Sequence, residues 1–465
     1  MANYILLKNA RLFDGNGDRV VPDSWVLIEN DRIASVGRGN AAPPQGTWVV
    51  DVAGQTVLPG LIDTHVHTLM MGDEGLRLFI AAGVTAARDC GGKLEGVKAI
   101  QGALASGDKV GPRLYVCGPM LQGSVQSLPE PFASVMLESV DSTDAIPSKV
   151  KPLLDGQVDS IKLYFSLPAE TGQKIISYVG GNVPVTGHLG WMRASEAVAA
   201  GINGLEHASI SPFQDICPLE HRWGPNPSMM DREWGQKLRH GWQDADLAAP
   251  QTRDLIANMA QRQVAMGTLL SVDWMTWSGF DNTRRDADRR YIPPAVLARH
   301  RAMAEALGGA GEDWDLRLPG FGGEGHSAAD PRKALEKQLD FCRLLHAAGG
   351  LIVGGTDAGG VSMPPPGFSL LRELELLAVA MGPVAAVRAV TSEAARYLRK
   401  QGDIGSVAPG RFADLLVVNG DPLNDVRDLR KLTTVYKSGV EYHPAEILAG
   451  IPANPNYRPE PGREV

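Results

Sequence analysis

The sequence has little cysteine. Only Cys90, Cys117, Cys217 and Cys342 occur among 465 residues, and no two of them form a CxxC pair. A disulfide framework needs more paired cysteines, and a zinc ribbon needs closely spaced pairs. The sequence therefore argues against both classes and predicts a reduced, cytoplasmic setting.

Long apolar runs and an excess of positive charge are also missing. No stretch approaches the ~18 apolar residues of a membrane-spanning helix, so we expect no membrane partner. The N-terminal segment MANYILLKNARLFDGNG lacks a cationic start followed by a long apolar core, so we expect no signal peptide. The net charge of −8 argues against a nucleic-acid partner. The expected partners are a small-molecule substrate and further copies of the chain in a homo-oligomer.

Both ends of the chain consist of short strand-like runs. The runs YILLKNARLF and SWVLIENDRIASVG near the start, and GRFADLLVVNG and LTTVYKSGV near the end, are punctuated by Gly, Asn and Asp, which is typical of antiparallel β structure. Each set is too small to bury a good face alone. We therefore predict one discontinuous β-sandwich domain from residues 1–58 plus 400–450, followed by a C-terminal arm at 451–465.

Strand-like and helix-like segments alternate in the middle of the chain. Eight strand-like runs, from GLIDTHVH to LIVGGTDAGG, are mostly separated by helical patterns, which indicates parallel βα units. They predict an α/β fold, a (β/α)8 TIM barrel over residues 59–399, whose active site lies at the carboxyl ends of the strands. The barrel is longer than usual, and we interpret the excess at about 211–345 as lid insertions. This interval contains Trp223, Trp234, Trp242, Trp274, Trp277 and Trp314.

Polar residues occur at the ends of the predicted strands. In the first strand, His65 and His67 are two residues apart, so both imidazoles face the same side. Later strand ends contribute Lys162, His188, His207 and Asp357. Neutral imidazole and carboxylate are ligands for zinc and similar divalent ions, and a barrel mouth with open coordination positions is catalytic rather than structural. The sequence therefore predicts a catalytic metal site at this mouth.

Lys162 is unexpected among metal ligands, because an ammonium group repels cations. Burial beside imidazoles lowers the pKa of a lysine and favours its neutral amine. A neutral amine reacts with carbon dioxide to form an anionic carbamate, whose two oxygens can bridge two metal ions. N-carboxylation would thus turn Lys162 into a ligand.

Two further features have a structural and a functional interpretation. We interpret Asp89, in ARDCGG, as a structural carboxylate at the end of the second strand, with a ligand role as the alternative. Some tryptophans of residues 211–345 could line a substrate pocket, but core packing is the default interpretation for each one taken singly.

The motifs around these residues resemble the metal-dependent amidohydrolase superfamily, in particular the imidazolonepropionase and Xaa-Pro dipeptidase-like group. The matching stretches follow the family's order along nearly the whole chain: VLPGLIDTHVH, GVTAARDCGG, DSIKLYF, VPVTGHLG, GINGLEHAS, IVGGTDAGG and GSVAPGRFADLLVVNGDPL. Phenylurea and thiocarbamate hydrolases of the superfamily have a comparable layout. The resemblance implies that one or two metal ions are held by His65, His67, Lys162, His188, His207 and Asp357. Lys162 matches the members whose lysine is carbamylated, and we expect zinc, with manganese or cobalt as alternatives.

The resemblance also implies hydrolysis at an amide-like carbonyl by metal-activated water. We expect cleavage of an amide, urea or carbamate-like C–N bond of a small molecule, with Asp357 as general base and then general acid. The aromatic and apolar content of residues 211–345 favours a neutral substrate over a peptide carboxylate. Hydrolysis of dipeptides or N-acyl amino acids is the alternative. Ring deamination, opening of a cyclic amide and a catalytically silent scaffold remain open.

Overall fold

The computed structural model describes residues 3–128, 130, 132–224, 226–229, 234–277, 286–306, 330–360 and 364–457. Trp314 and the last part of the C-terminal arm, residues 458–465, lie outside these ranges. Among the described helices, none has the length and apolar character needed to cross a membrane.

Short strands alternate with helices along most of the described chain. The strands are β1 (Tyr4–Leu12), β2 (Val21–Glu29), β3 (Arg32–Arg38), β4 (Trp48–Asp51), β5 (Thr56–Pro59), β6 (Leu61–Val66), β7 (Val84–Asp89), β8 (Arg113–Val116), β9 (Met120–Gln122), β10 (Leu137–Ser139), β11 (Ile161–Leu163), β12 (Val185–Gly187), β13 (Gly204–Glu206), β14 (Ala265–Gly267), β15 (Ile352–Val353), β16 (Leu415–Val418), β17 (Leu432–Lys437) and β18 (Val440–Tyr442). The helices are α1 (Gly72–Ala81), α2 (Leu94–Ser106), α3 (Phe132–Met136), α4 (Ile146–Asp155), α5 (Ala169–Val179), α6 (Ala194–Ala200), α7 (Phe213–Ile216), α8 (Trp234–Gln243), α9 (Pro250–Arg262), α10 (Leu270–Trp277), α11 (Pro294–Ala306), α12 (Asp330–Ala347), α13 (Phe368–Met381), α14 (Pro383–Ala389), α15 (Ser392–Tyr397) and α16 (Pro444–Ala449).

The two chain ends meet in one mixed sheet. Its hydrogen-bonded order is β18-β17-β16-β5-β1-β2-β3, and β4 pairs with β1. Strands β5 and β16 pair antiparallel, with Val57 opposite Val417. Apolar side chains of this sheet, including Leu7, Val26 and Leu415, form a hydrophobic cluster of their own. The first and last strands of the chain thus complete each other's sheet.

The middle of the chain forms parallel strands. One sheet has the order β6-β7-β8 and the other β10-β9-β11-β12-β13-β14-β15, and the pairings within both are parallel. Backbone hydrogen bonds link the two sheets on both sides: Asp357 N donates to His65 O at 2.8 Å, and Asp159 N donates to Val116 O at 2.7 Å. Each of the eight predicted strand-like runs contains one of these strands, whereas β9 and β10 are additions. The architecture is therefore α/β with parallel strands, as predicted.

The unit β11–α5–β12 illustrates how the sequence produces this alternation. The strand Ile161–Leu163 is wholly buried. In α5, Ile175, Ile176 and Val179 recur at helical spacing and form a buried face. Gly180 ends the helix with φ of 59°, a left-handed conformation that glycine adopts without strain. The chain then enters β12 in the same direction as β11, so the carboxyl ends of both strands lie at one edge.

The interval predicted as lid insertions is mixed in character. It contains α9 and β14, and β14 pairs in parallel with β13 and β15, so this part belongs to the parallel strand array. Of its tryptophans, Trp223, Trp234, Trp242 and Trp277 are buried and Trp274 is partly buried. Most of these indoles therefore pack in the interior.

The described part of the C-terminal arm is anchored. Asn454 is buried, its backbone N–H donates to Arg290 O at 3.0 Å, and its side-chain Nδ2 donates to Arg289 O at 2.8 Å. The arm is thus held against the segment Ala287–Tyr291.

Candidate metal centre

The centre begins at the carboxyl end of β6. His65 lies in this strand and His67 follows it, and both are buried, with exposed fractions of 2% and 4%. Asp357 N donates to His65 O, and His67 N donates to Ala358 O, each at 2.8 Å. These bonds join the end of β6 to the loop after β15 and set Asp357 beside the two imidazoles.

His65, His67 and Asp357 bring three ligand atoms together. Asp357 Oδ1 lies 3.0 Å from His67 Nε2 and 3.5 Å from His65 Nε2. Ligand atoms of the three residues all fall within 4.8 Å of one another. Two ligand atoms each ~2.1 Å from a tetrahedral zinc ion lie roughly 3.4 Å apart. The observed separations therefore suit a shared cation.

His188 and His207 extend the group from the neighbouring strands. His188 follows β12 and His207 follows β13. Their ring centroids lie 4.2 Å apart, and the His207 ring lies 5.0 Å from that of His65. The structure thus brings four predicted imidazoles and the predicted carboxylate to one edge of the parallel strands.

The environment keeps these groups in metal-binding states. Burial lowers the pKa of His65, His188 and His207 well below the usual range, so the imidazoles are neutral at neutral pH. Burial alone would raise the pKa of Asp357, but the hydrogen bond with His67 and the electrostatic effect of the surrounding histidines and Lys162 outweigh burial, and the pKa lies below its ordinary value. Neutral imidazoles and an ionised carboxylate are the forms that bind divalent ions.

An unpaired nitrogen supports the fit of a metal ion. Within the described residues, His188 Nε2 is buried without a hydrogen-bond partner. Leaving a buried polar atom unpaired costs about 1–3 kcal/mol, and a cation bound to this nitrogen would remove that cost. Together with the donor set of imidazoles and carboxylate, this fits a divalent ion of the zinc type.

Lys162 lies in β11, next to the centre. Its side chain is buried, and burial lowers its pKa to about 8, which increases the share of neutral amine. Its Nζ contacts Oε2 of Glu206, and the same oxygen lies 2.7 Å from His65 Nδ1. Lys162 is therefore connected to the histidine cluster through a carboxylate that the motifs had not singled out.

Sequence reasoning missed two charged residues behind the centre. Glu206 precedes His207 in GLEHAS, and Arg88 precedes Asp89 in ARDCGG. Their exposed fractions are 1% and 2%, and they form an ion pair. Charged side chains in fully buried strands need a partner. The presence of two opposite charges in strands predicted to be buried is thus the sequence feature that could have indicated this ion pair.

Asp89 lies beside the centre and has structural contacts. Thr68 N donates to Asp89 Oδ2 at 2.7 Å, and Gly91 N donates to Asp89 Oδ1 at 3.0 Å. Both carboxylate oxygens thus accept backbone hydrogen bonds that hold the segment after β6 against the end of β7.

Aromatic side chains border the centre next to His188. The rings of Tyr164 and Phe165 lie 5.0 and 5.9 Å from the His188 ring, measured between centroids. Phe165 in turn packs against Trp223 at 5.4 Å, and Trp223 stacks on Trp234 at 5.6 Å. This side of the centre is therefore apolar, which strengthens electrostatic interactions within it.

Comparisons with known sequences find one family model and several short or distant relatives. The amidohydrolase family model matches residues 289–441, a range that contains Asp357. An imidazolonepropionase from Alkaliphilus oremlandii is 21% identical over 433 residues, which cover 90% of each chain. A dihydroorotase from Geobacter sulfurreducens is 47% identical over 73 residues, 16% of each chain. The alignments with the first three curated relatives are short, and in them this chain spans only 16–20% of the relative's length.

Solved structures share the fold along nearly the whole chain. A Xaa-Pro dipeptidase with bound methionine in the active site is similar with a TM-score of 0.67 and 18% identity, over 95% of this chain and 100% of that chain. Molinate hydrolase is similar with a TM-score of 0.65 and 19% identity, over 100% and 99% of the two chains. These likenesses show a TIM-barrel-type α/β fold. The sequence matches add a similarity to the amidohydrolase family over residues 289–441 and a distant similarity to an imidazolonepropionase over most of the chain.

Proposed function

We propose that the protein is a metal-dependent hydrolase that cleaves an amide, urea or carbamate-like C–N bond of a small molecule. The observation that carries this proposal is the buried cluster of His65, His67 and Asp357, whose ligand atoms lie within 4.8 Å of one another. The match of the amidohydrolase family model to residues 289–441 and the distant similarity to an imidazolonepropionase support the same reaction class.

In this proposal, the metal ligands are the predicted residues His65, His67, Lys162, His188, His207 and Asp357. A bound divalent ion supplies Lewis acidity that polarises a carbonyl and eases the deprotonation of water. Asp357 accepts a proton from the attacking water as the O–C bond forms, and it donates that proton to the leaving nitrogen as the C–N bond breaks. The lowered pKa keeps the Asp357 carboxylate ionised at neutral pH, the state in which it can accept a proton.

Lys162 decides how many ions bind in this proposal. Its amine, with a pKa of about 8, would add to carbon dioxide and release a proton, which yields an anionic carbamate. Such a group could hold two ions, whereas an unmodified amine would favour one. We propose zinc as the ion, with manganese or cobalt as alternatives, because imidazole and carboxylate suit all three.

The proposed substrate is neutral and carries an apolar group. The aromatic side chains next to His188 support this choice, because apolar walls with few polar groups suit neutral small molecules. Dipeptide or N-acyl amino acid hydrolysis is the first alternative, since a Xaa-Pro dipeptidase shares the fold. Cyclic-amide hydrolysis or deamination is the second, since the imidazolonepropionase alignment covers 90% of the chain.

A hydrolysis screen of the metal-reconstituted protein tests these proposals. It should include dipeptides, N-acyl amino acids, phenylureas, carbamates and cyclic amides, and we expect a neutral amide, urea or carbamate to release its amine. A tenfold preference in kcat/KM for a matched substrate with a free carboxylate, about 1.4 kcal/mol of transition-state binding, would favour the dipeptidase alternative. Ring-opened acid without released amine would identify a cyclic-amide hydrolase, and ammonia a deaminase. Full metal occupancy without turnover of any class would contradict the hydrolase proposal.

We also propose the finer architecture that the sequence indicates. It comprises a closed (β/α)8 barrel over residues 59–399, a β-sandwich from 1–58 and 400–450, and a C-terminal arm, in a cytoplasmic homo-oligomer. The hydrogen bonds between the two parallel sheets support the barrel, and the β5–β16 pairing supports the shared domain of the chain ends. Light scattering of the purified protein tests the oligomer.

A further inference from the structure

A buried ion pair lies directly behind the metal centre. Arg88, from β7, and Glu206, from β13, have exposed fractions of 2% and 1%. Arg88 Nη2 donates to Glu206 Oε1. The other carboxylate oxygen, Oε2, faces the centre, where it contacts Lys162 Nζ and lies 2.7 Å from His65 Nδ1. One carboxylate oxygen of Glu206 thus contacts Arg88, and the other contacts residues of the metal centre.

Arg88 is itself held rigidly. Its Nε donates to Thr64 O at 2.8 Å, and its Nη1 donates to Thr186 Oγ1 at 3.3 Å. Its guanidinium also lies 5.0 Å from the centroid of the Tyr397 ring. These contacts reach β6, β12 and α15, so Arg88 cannot change position without disturbing three neighbouring elements. The carboxylate of Glu206 is therefore held by a fixed cation whether or not Lys162 remains an ammonium group.

His65 presents its two ring nitrogens to different partners. Nε2 is directed to the cluster and lies 3.5 Å from Asp357 Oδ1, while Nδ1 is directed to Glu206. A histidine that binds a metal through Nε2 carries its proton on Nδ1, and a carboxylate facing Nδ1 stabilises that tautomer and fixes the ring. Glu206 Oε2 lies 2.7 Å from Nδ1, within reach of such a bond, while among the described residues neither atom has a hydrogen-bond partner.

We infer that Glu206, anchored by Arg88, is a positioning residue that holds His65 in the tautomer and orientation required for metal binding. The inference rests on the proposed function, because it assigns His65 to a metal ion. It adds a residue outside the six predicted ligands, one that acts through His65 and not on the substrate.

The test compares metal affinity in the full-length protein and in Glu206→Gln. The amide has the shape of the carboxylate but lacks its charge, and its NH2 group can donate to His65 Nδ1 and favour the wrong tautomer. We expect the Kd for Zn²⁺, measured by chelator competition, to rise ~10–100-fold, the usual effect of losing a carboxylate that orients a ligand. In the Co²⁺-loaded protein, the visible absorption bands should change in position or intensity, since they report ligand geometry. A Kd within about threefold of wild type and an unchanged Co²⁺ spectrum would overturn the inference.

The matched control is Glu373→Gln. Glu373 is as buried as Glu206, but its oxygens accept from Thr268 Oγ1 and Ser271 N, neither of which is a predicted ligand. Its Kd for Zn²⁺ should equal that of wild type, and an equal loss in both variants would show a general effect of replacing a buried carboxyl group and overturn the inference. Failure of the wild-type protein to bind Zn²⁺ or Co²⁺ would instead contradict the proposed function, which keeps the two outcomes distinct.

A second variant guards against misfolding. Glu206→Gln leaves Arg88 with an unpaired buried charge, which can prevent folding. The double variant Arg88→Met with Glu206→Gln removes both charges of the pair. We expect its Zn²⁺ affinity to remain low, because the carboxylate facing His65 is still missing. Recovery of wild-type affinity in the double variant would attribute the loss to the unpaired charge and would overturn the positioning role.

Discussion

Replacement of Asp357 by asparagine is the sharpest test of the proposed chemistry. Asp357 has φ of 58°, and asparagine tolerates this left-handed conformation better than most residues do. Its side chain also retains the shape of the aspartate and can still contact His67 Nε2, which lies 3.0 Å from Oδ1. Asp357→Asn therefore removes the charge and the proton acceptor with little backbone strain. Alanine would also remove the side-chain shape and would be strained in this backbone conformation.

The size of the effect follows from the two roles of Asp357. Loss of a general base lowers kcat by ~10²–10⁴-fold, which corresponds to about 3–5 kcal/mol of lost transition-state stabilisation. Because the same carboxylate oxygen lies near the Nε2 atoms of both His65 and His67, the variant should also bind the metal more weakly. We therefore expect a loss of kcat near the upper end of this range when metal is limiting, and near the lower end at saturating metal.

The assay is kcat at saturating metal for whichever substrate the screen identifies, with metal content measured on the same samples. Asp215→Asn is a matched control, because Asp215 is also buried but accepts hydrogen bonds from Ser195 in α6. The control should retain wild-type kcat. If Asp357→Asn with full metal occupancy keeps more than about a tenth of wild-type kcat, the general base is another group.

Three further predictions use other residues of the same region. Lys162→Ala should lose metal or activity, and short carboxylic acids should restore part of either if a carbamate is the missing group; full metal and activity without added acid would exclude a ligand role. Burial raises the pKa of Glu373 to about 7, so the folded state takes up a proton and the free energy of unfolding should fall by about 3 kcal/mol as pH rises from about 4.5 to 7. In denaturant titrations at several pH values, Glu373→Gln should reduce the dependence of the free energy of unfolding on pH. An unchanged dependence would show that it does not come from Glu373. Asp89→Asn should lower the free energy of unfolding by about 1–3 kcal/mol, through its bonds to Thr68 and Gly91, while metal stoichiometry stays at the wild-type level; loss of metal would make Asp89 a ligand.

The residues that the sequence predicted to lie together are those whose signal is local. His65 and His67 share one face of a strand by simple alternation, and the other candidates each follow a recognisable apolar run. Parallel strands then bring their carboxyl ends to one edge, so the order of the motifs along the chain was enough to predict that His188, His207 and Asp357 meet them.

The residues that escaped prediction depend on contacts between distant parts of the chain. Nothing local in AARD or GLEH shows that Arg88 and Glu206 neutralise each other inside the fold, 118 positions apart. The anchoring of Asn454 on Arg289 and Arg290 is equally non-local. Within residues 211–345, amino-acid composition alone does not distinguish a lid tryptophan from a core tryptophan, and the structure buries most of those it describes.

Because β5 pairs antiparallel with β16, the sheet that contains the first strands of the chain cannot be completed until β16 has been synthesised. About 350 residues separate these two partners in sequence. At ~5–20 residues per second, the ribosome needs roughly 20–70 s to produce them. Throughout that time the apolar edge of β5, with Val57 and Leu58, lacks its partner strand, and an unpaired strand edge is a template for aggregation. The yield of folded protein should therefore depend on chaperones that bind nascent chains, and less so for a circular permutant that joins residues 415–442 ahead of residue 4.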